Sequence, residues 1–159
     1  MRRCKALAAG AALTVATVAT VAGARPGSAT DAPVQHCVVR VTGTAPDGHL
    51  LTTQPACSSD QAAAVRQAGV TAEDQPLGIH WDGPGYTGSN FMVVGTVCAA
   101  GWLNLNPAWI NRVSSTQNFC HAIRHFDGYN LGGSSQDTFY PGGNLSLLNN
   151  RTNSIQYLP

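Results

Sequence analysis

The chain has 159 residues, 43% of them hydrophobic and only 11% charged, with a formal net charge of +1, which suits one compact domain. Three of its nine basic residues (Arg2, Arg3 and Lys5) sit at the N-terminus. Without them six Arg face eight Asp+Glu, a balance near −2 with no basic run, so nucleic acid and anionic membrane surfaces are excluded as partners.

Residues 1–24 read as a secretion signal: a positive start, a run of Ala, Val, Leu, Thr and Gly, and Ala22-Gly23-Ala24 as a small-residue cleavage site. No later segment is apolar for long enough to span a bilayer. The mature protein is therefore expected outside the cell, free of the membrane. Cys4 leaves with the signal, and Cys37, Cys57, Cys98 and Cys120 remain. Four cysteines in an exported chain of this size imply two disulfides. Three connectivities exist, and pairing of sequence neighbours, Cys37–Cys57 and Cys98–Cys120, is favoured. Each would close a loop of about 20 residues and contribute roughly 3 kcal/mol in the chain-entropy model.

Residues 25–35 lack any period and read as a mobile leader. Residues 36–75 form a disulfide-stapled strand-and-helix appendage or a removable pro-segment; the staple favours the appendage. Its strand is Cys37–Gly43, its turn Pro46-Asp47-Gly48, and its helix Gln61–Gly69, preceded by Ser58-Ser59-Asp60 as an N-cap signal and closed by Gly69.

From Trp81 the chain says nearly the same thing twice. Trp81-Asp82-Gly83-Pro84-Gly85-Tyr86-Thr87-Gly88-Ser89 is answered by Phe126-Asp127-Gly128-Tyr129-Asn130-Leu131-Gly132-Gly133-Ser134, at an offset of 45 (126 − 81). Asn111-Arg112-Val113-Ser114-Ser115 is answered by Asn150-Arg151-Thr152-Asn153-Ser154, at an offset of 39 (150 − 111). Such a duplication marks one supersecondary unit used twice, with about six extra residues in the first copy. Asp-Gly and Pro-Gly place a tight hairpin in each copy, and Phe91–Val94 and Ala122–Phe126 supply strand-like flanks. Short strands separated by frequent turns indicate an antiparallel sandwich.

The pattern of an aromatic, four residues, an aromatic, one residue and Gly, followed later by an Asn/Asp pair, two residues, Ser/Thr and Ser, resembles the Greek-key motif of the βγ-crystallin superfamily. Trp81, Tyr86, Gly88 and Ser115 carry it in the first copy; Phe126, Gly133 and Ser154 carry it in the second, where Leu131 replaces the usual aromatic. The resemblance covers about residues 76–159, with motifs at about 76–118 and 119–159. It implies an all-β fold, a two-sheet Greek-key sandwich of two crystallin-like motifs, here with the short N-terminal strand-plus-helix appendage. The whole chain is also similar to small secreted bacterial proteins assigned to a peptidase-inhibitor family with this fold. That similarity implies a non-enzymatic, monomeric protein whose partner is a secreted peptidase.

The superfamily's polar turns can supply oxygen ligands to calcium. Aligned on them, Asn111 and Ser114 in the first turn and Asn149 and Asn150 in the second are the candidate ligands. Neither turn holds a carboxylate and each holds an Arg, so calcium is expected to bind at millimolar concentration or not at all. The alternative to the inhibitor is accordingly an extracellular structural or weakly calcium-binding module. Other chemistry finds little support. His121 and His125 are four apart but lack the Glu of a zinc-protease helix. Asp82 and Asp127 are expected to cap their own hairpins through local hydrogen bonds.

Between the copies, Cys98-Ala99-Ala100-Gly101-Trp102 through Trp109 holds the extra length and two Trp residues. Trp102 and Trp109 are either core plugs or binding surface. With Ala99, Ala100 and Gly101 they form the candidate binding loop.

Overall fold

The computed structural model of the protein describes residues 33–159. The secretion signal and most of the leader lie outside the described residues. Two β-sheets, of seven and four strands, carry the fold, with a single short helix among the described residues.

The chain begins with β1 (His36–Thr44), β2 (Leu50–Thr52) and β3 (Ala56–Ser58), followed by α1 (Gln61–Gln67). The Asp47-Gly48 turn forms as its residues dictate. Gly48 takes a φ of 87° that L-residues resist, and the Asp47 carboxylate accepts from the His49 N–H at 2.9 Å. Asp60 caps α1 by accepting from the Ala62 N–H at 3.0 Å, and Gly69 turns the chain away at φ 68°.

The duplicated region adds β4 (Gln75–Gly83), β5 (Thr87–Gly95), β6 (Trp102–Asn104) and β7 (Ser115–Asn118), then β8 (Ala122–Phe126), β9 (Ser135–Phe139), β10 (Gly142–Asn144) and β11 (Ser154–Leu158). The large sheet runs β10-β7-β4-β5-β1-β2, with β3 also on β1, and the small one β6-β11-β8-β9. Each copy therefore lends its third strand to the other copy's sheet. β6 pairs with β11, Asn104 opposite Ser154, and β10 pairs with β7, Asn144 opposite Ser115.

The segment 36–75 enters the sandwich instead of hanging from it. β1 pairs parallel to β5 from His36–Asn90 to Arg40–Val94, and the Cys37–Cys57 disulfide fastens β3 to it. Its residues Val38 and Val39 are both buried, because the strand has an apolar layer on each face. One layer is the core between the sheets, where Val39, Phe91, Trp109, Ile123, Ile155 and Tyr157 meet. The other lies under α1, where Ala64 and Ala68 cover Val38, Ile79, Met92 and Val94.

Candidate functional site

The duplication extends to individual hydrogen bonds. In the first copy Asp82 Oδ1 accepts from the Ser89 N–H at 2.8 Å and Oδ2 from Arg112 at 2.6 Å. In the second, Asp127 Oδ1 accepts from the Ser134 N–H at 2.7 Å and Oδ2 from Arg151 at 2.8 Å. Each aspartate thus holds its own hairpin and pins an arginine of the following polar turn. Ser115 Oγ donates to the Gly83 carbonyl and accepts from the Tyr86 N–H. Ser154 Oγ does the same with Gly128 and Leu131. Tyr86 and Leu131 have φ of 65° and 61°, and the hydroxyl contact holds that backbone in place. Gly88 and Gly133 both sit at φ 80°, where a Cβ would run into the Asp82 or Asp127 carboxylate. Trp81 lies two residues before the end of β4 and Phe126 ends β8, and their carbonyls accept from Ser114 and Asn153 N–H, each at 2.8 Å.

The two polar turns face each other. The Asn111 N–H donates to the Thr152 carbonyl and the Asn150 N–H to the Val113 carbonyl, both at 2.9 Å. Of the calcium candidates, Ser114 and Asn150 come together. Ser114 Oγ lies 2.9 Å from the Asp82 carbonyl oxygen and 3.0 Å from Asn150 Oδ1. Asn111 sits in the same turn as Ser114, exposed and at φ 57°, and Asn149 is exposed in the other turn. In the second copy Asn153 Nδ2 donates to the Asp127 carbonyl at 2.6 Å, and its Oδ1 has no partner. The convergent oxygens are all neutral, and the carboxylates beside them are engaged by Arg112 and Arg151. That donor set fits a dication poorly, because calcium affinity follows ligand charge.

Both disulfides join sequence neighbours: Cys37–Cys57 and Cys98–Cys120. The second holds the candidate binding loop. Trp81 to Asn104 is 23 positions and Phe126 to Asn144 is 18, so five of the six extra residues precede β6. They lengthen β5 and make the turn at 96–101. The loop divides sharply. Ala99 and Ala100 are exposed, whereas Gly101 is buried against Leu50, with no room for a side chain. Trp102 packs edge-on to His49 with ring centroids 4.7 Å apart, and its Nε1–H donates to the Asp47 carbonyl. Trp109 is a core plug and not contact surface: it is 2% exposed, stacked on Phe91, with the Arg112 guanidinium over it.

The sequence reading missed the group that lies beside this loop. Phe119, Phe139 and Tyr140 are 41%, 58% and 69% exposed, and Val97 is exposed next to Cys98. Phe139 ends β9, and Val97, Phe119 and Tyr140 lie on three connections fastened together at one end of the sandwich. The Tyr140 N–H donates to the His121 carbonyl, the Asn118 N–H to the Pro141 carbonyl, and the His121 ring meets Phe139 edge-on at 6.0 Å. Cys98–Cys120 ties the third connection to them. The aromatic doublet Phe139-Tyr140 before Pro141, just past a short polar strand, was the available signal.

His121 and His125 do not form a pair. His121 is exposed at the start of β8, while His125 is fully buried. There His125 joins a polar chain through the core. Tyr157 OH lies 2.9 Å from His80 Nε2, His80 Nδ1 3.0 Å from Thr116 Oγ1, and Thr116 Oγ1 3.2 Å from His125 Nε2. Burial pushes His80 well below the usual histidine range, with His125 adding to the effect. Burial likewise takes His125 down to about 3, against the pull of Asp137. Both rings are neutral and closed off from solvent. Among the described residues no three His, Cys, Asp or Glu side chains gather as a metal site.

Two clefts lie elsewhere. One, of about 170 Å³, is lined by residues that include His49, Thr52, Gln54 and Asn104; the other, of about 320 Å³, lies between Gln35, Ser89, Trp109 and Arg112. No family model, curated protein or solved structure matches the chain.

Proposed function

We propose that the chain is an exported two-motif Greek-key sandwich of the βγ-crystallin type that acts by binding, as an inhibitor of a secreted peptidase. The fold reading is supported by the exchanged third strands and by the matched Asp-Arg and Ser devices of the two copies. Export agrees with the two disulfides, and no helix among the described residues is long and apolar enough to cross a membrane. The observation that carries the binding role is the end of the sandwich bearing Val97, Phe119, Phe139 and Tyr140. Exposed aromatic side chains on connections held by a disulfide and by backbone hydrogen bonds are already ordered, which lowers the entropic cost of association. The partner is a peptidase and the working unit a monomer.

The test is a titration of the oxidised protein, residues 25–159, against purified secreted endopeptidases of the serine, cysteine, aspartic and metallo classes. Saturable inhibition of at least one, near one-to-one stoichiometry, is expected; activity untouched in all four classes at micromolar inhibitor refutes the reading.

A second reading, a structural module with weak calcium binding, is favoured by one feature: the convergence of Asp82 O, Ser114 Oγ and Asn150 Oδ1. Isothermal titration with Ca²⁺ separates the two, since the inhibitor reading expects no heat below millimolar concentration.

A further inference from the structure

The two copies differ in what lies along their second strands. Ser89 and Ser134 are equivalent, since each donates its N–H to the aspartate of its own hairpin. Asn90 therefore corresponds to Ser135, Met92 to Asp137 and Val94 to Phe139. On β5 this edge is taken: the Asn90 N–H donates to the Gln35 carbonyl at 2.9 Å, and β1 continues the pairing up to Val94. On β9 it is open. β9 is the last strand of the small sheet, and among the described residues no strand pairs with its outer side.

The direction of its backbone groups follows from parity. The Ser134 carbonyl accepts from Asp127 and the Tyr140 N–H donates to His121, so both face β8. Residues alternate along an antiparallel ladder, and the N–H and C=O groups of Ser135, Asp137 and Phe139 therefore point outward. This agrees with the outward N–H of Asn90 in the other copy. The edge is also electrically quiet. Arg124 holds both oxygens of Asp137, at 2.6 and 2.8 Å, and every Arg of the described residues is likewise paired with an Asp. A row of unused backbone groups that ends in two exposed aromatic side chains has the form of an extended peptide chain offered for pairing.

We propose that the outer edge of β9, Ser135 to Phe139, is the surface the partner peptidase takes up. The edge pairs with an uncharged extended strand in the wall of the peptidase's substrate cleft, and Phe139 and Tyr140 enter adjoining apolar pockets. The proposal rests on the inhibitor reading above and adds its location and the specificity of the partner, a peptidase that accepts aromatic side chains. The β1–β5 pair shows, within the same molecule, that this edge geometry accepts another strand. Charge complementarity points the same way, because a neutral edge selects a neutral cleft and its affinity should barely respond to salt.

The test uses the oxidised protein, residues 25–159, against a serine endopeptidase that cleaves after aromatic residues and one that cleaves after arginine. Ser135→Pro removes an outward N–H that the fold does not use, a place where proline is tolerated in an edge strand. Phe139→Ala combined with Tyr140→Ala removes the side chains without touching the backbone. The wild type should inhibit the aromatic-selective enzyme alone. Each variant, at an unchanged melting temperature, should weaken inhibition at least tenfold, and 0.5 M NaCl should change it less than twofold. If Ser135→Pro does not fold, the double alanine variant decides. Inhibition that survives both changes overturns the β9 assignment while the inhibitor reading stands. A wild type that inhibits neither enzyme but blocks another in the wider panel overturns the aromatic specificity; one that blocks none overturns both readings. A dimer in sedimentation that Ser135→Pro dissolves would give the edge to a second copy of the chain instead, and also overturns the proposal.

Discussion

Acid should destabilise this protein well above the range in which its carboxylates titrate, and the cause is the buried histidine pair. His125 is fully buried with a pKa of about 3, whereas an unfolded histidine titrates near 6.5. Because the folded value is depressed, the stability it contributes is complete above about pH 6.5 and is lost as pH falls towards 3, where only the unfolded chain takes up the proton. At pH 5 the linkage amounts to about 2 kcal/mol relative to pH 7.5 from His125 alone. His80 moves stability in the same direction. Asp74 and Asp137 do not contribute in this window, since both are lowered below 3.8 and are ionised in folded and unfolded chains alike. For Asp74, burial works upward but Thr71 and Arg40 prevail; for Asp137, the hydrogen bonds from Arg124 dominate. A fall of at least 2 kcal/mol is large against a typical domain stability of roughly 5–15 kcal/mol. Urea unfolding at pH 7.5 and 5.0 measures it directly, with wild type compared to His125→Gln. The glutamine variant should be less stable at pH 7.5 but lose about 2 kcal/mol less than wild type on acidification. Equal losses in the two proteins would refute the argument and place the acid sensitivity elsewhere.

Three further outcomes are expected. Gly88→Val and Gly133→Val should each cost more than about 1 kcal/mol in urea unfolding, because a β-branched residue resists a φ of 80° and its Cβ meets an aspartate carboxylate. Trp109→Ala should cost about 3–5 kcal/mol as a core deletion, while Trp102→Ala should cost clearly less, since that ring rests on His49 at the surface; denaturant midpoints rank the two. Calcium at 1 mM should leave the melting temperature within a degree, because stabilisation grows as RT ln(1 + [L]/Kd) and the Ser114 and Asn150 oxygens carry no charge.

What could be read from the sequence was local. The Asp-Gly hairpins, the Asp60 cap, the strand at Cys37–Gly43 and the pairing of neighbouring cysteines all follow from residues close in the chain, and each appears as expected. Asp82 and Asp127 do cap their hairpins, but the arginine each one holds lies 24 to 30 residues away and carries no local signal. The parallel pairing of β1 with β5 was equally silent, because a parallel ladder joins strands that need no connecting turn. The fates of Trp102 and Trp109 depended on which layer each strand entered. His80 and His125 sit on β4 and β8, and nothing in their neighbours says that Thr116 and Tyr157 will meet them. The exposed aromatic end was hidden for a similar reason, since Phe119 lies in the connection before β8 while Phe139 ends β9.

The exchange of β6 and β10 has a consequence for dividing the domain. With its third strand given away, neither half has a complete sheet of its own, and the two turns bond to each other through Asn111 and Asn150. Halves separated between β7 and β8 would each lack a strand that only the other supplies. The mutual debt is not a full symmetry, because β5 carries β1 along its edge while β9 leaves its edge bare.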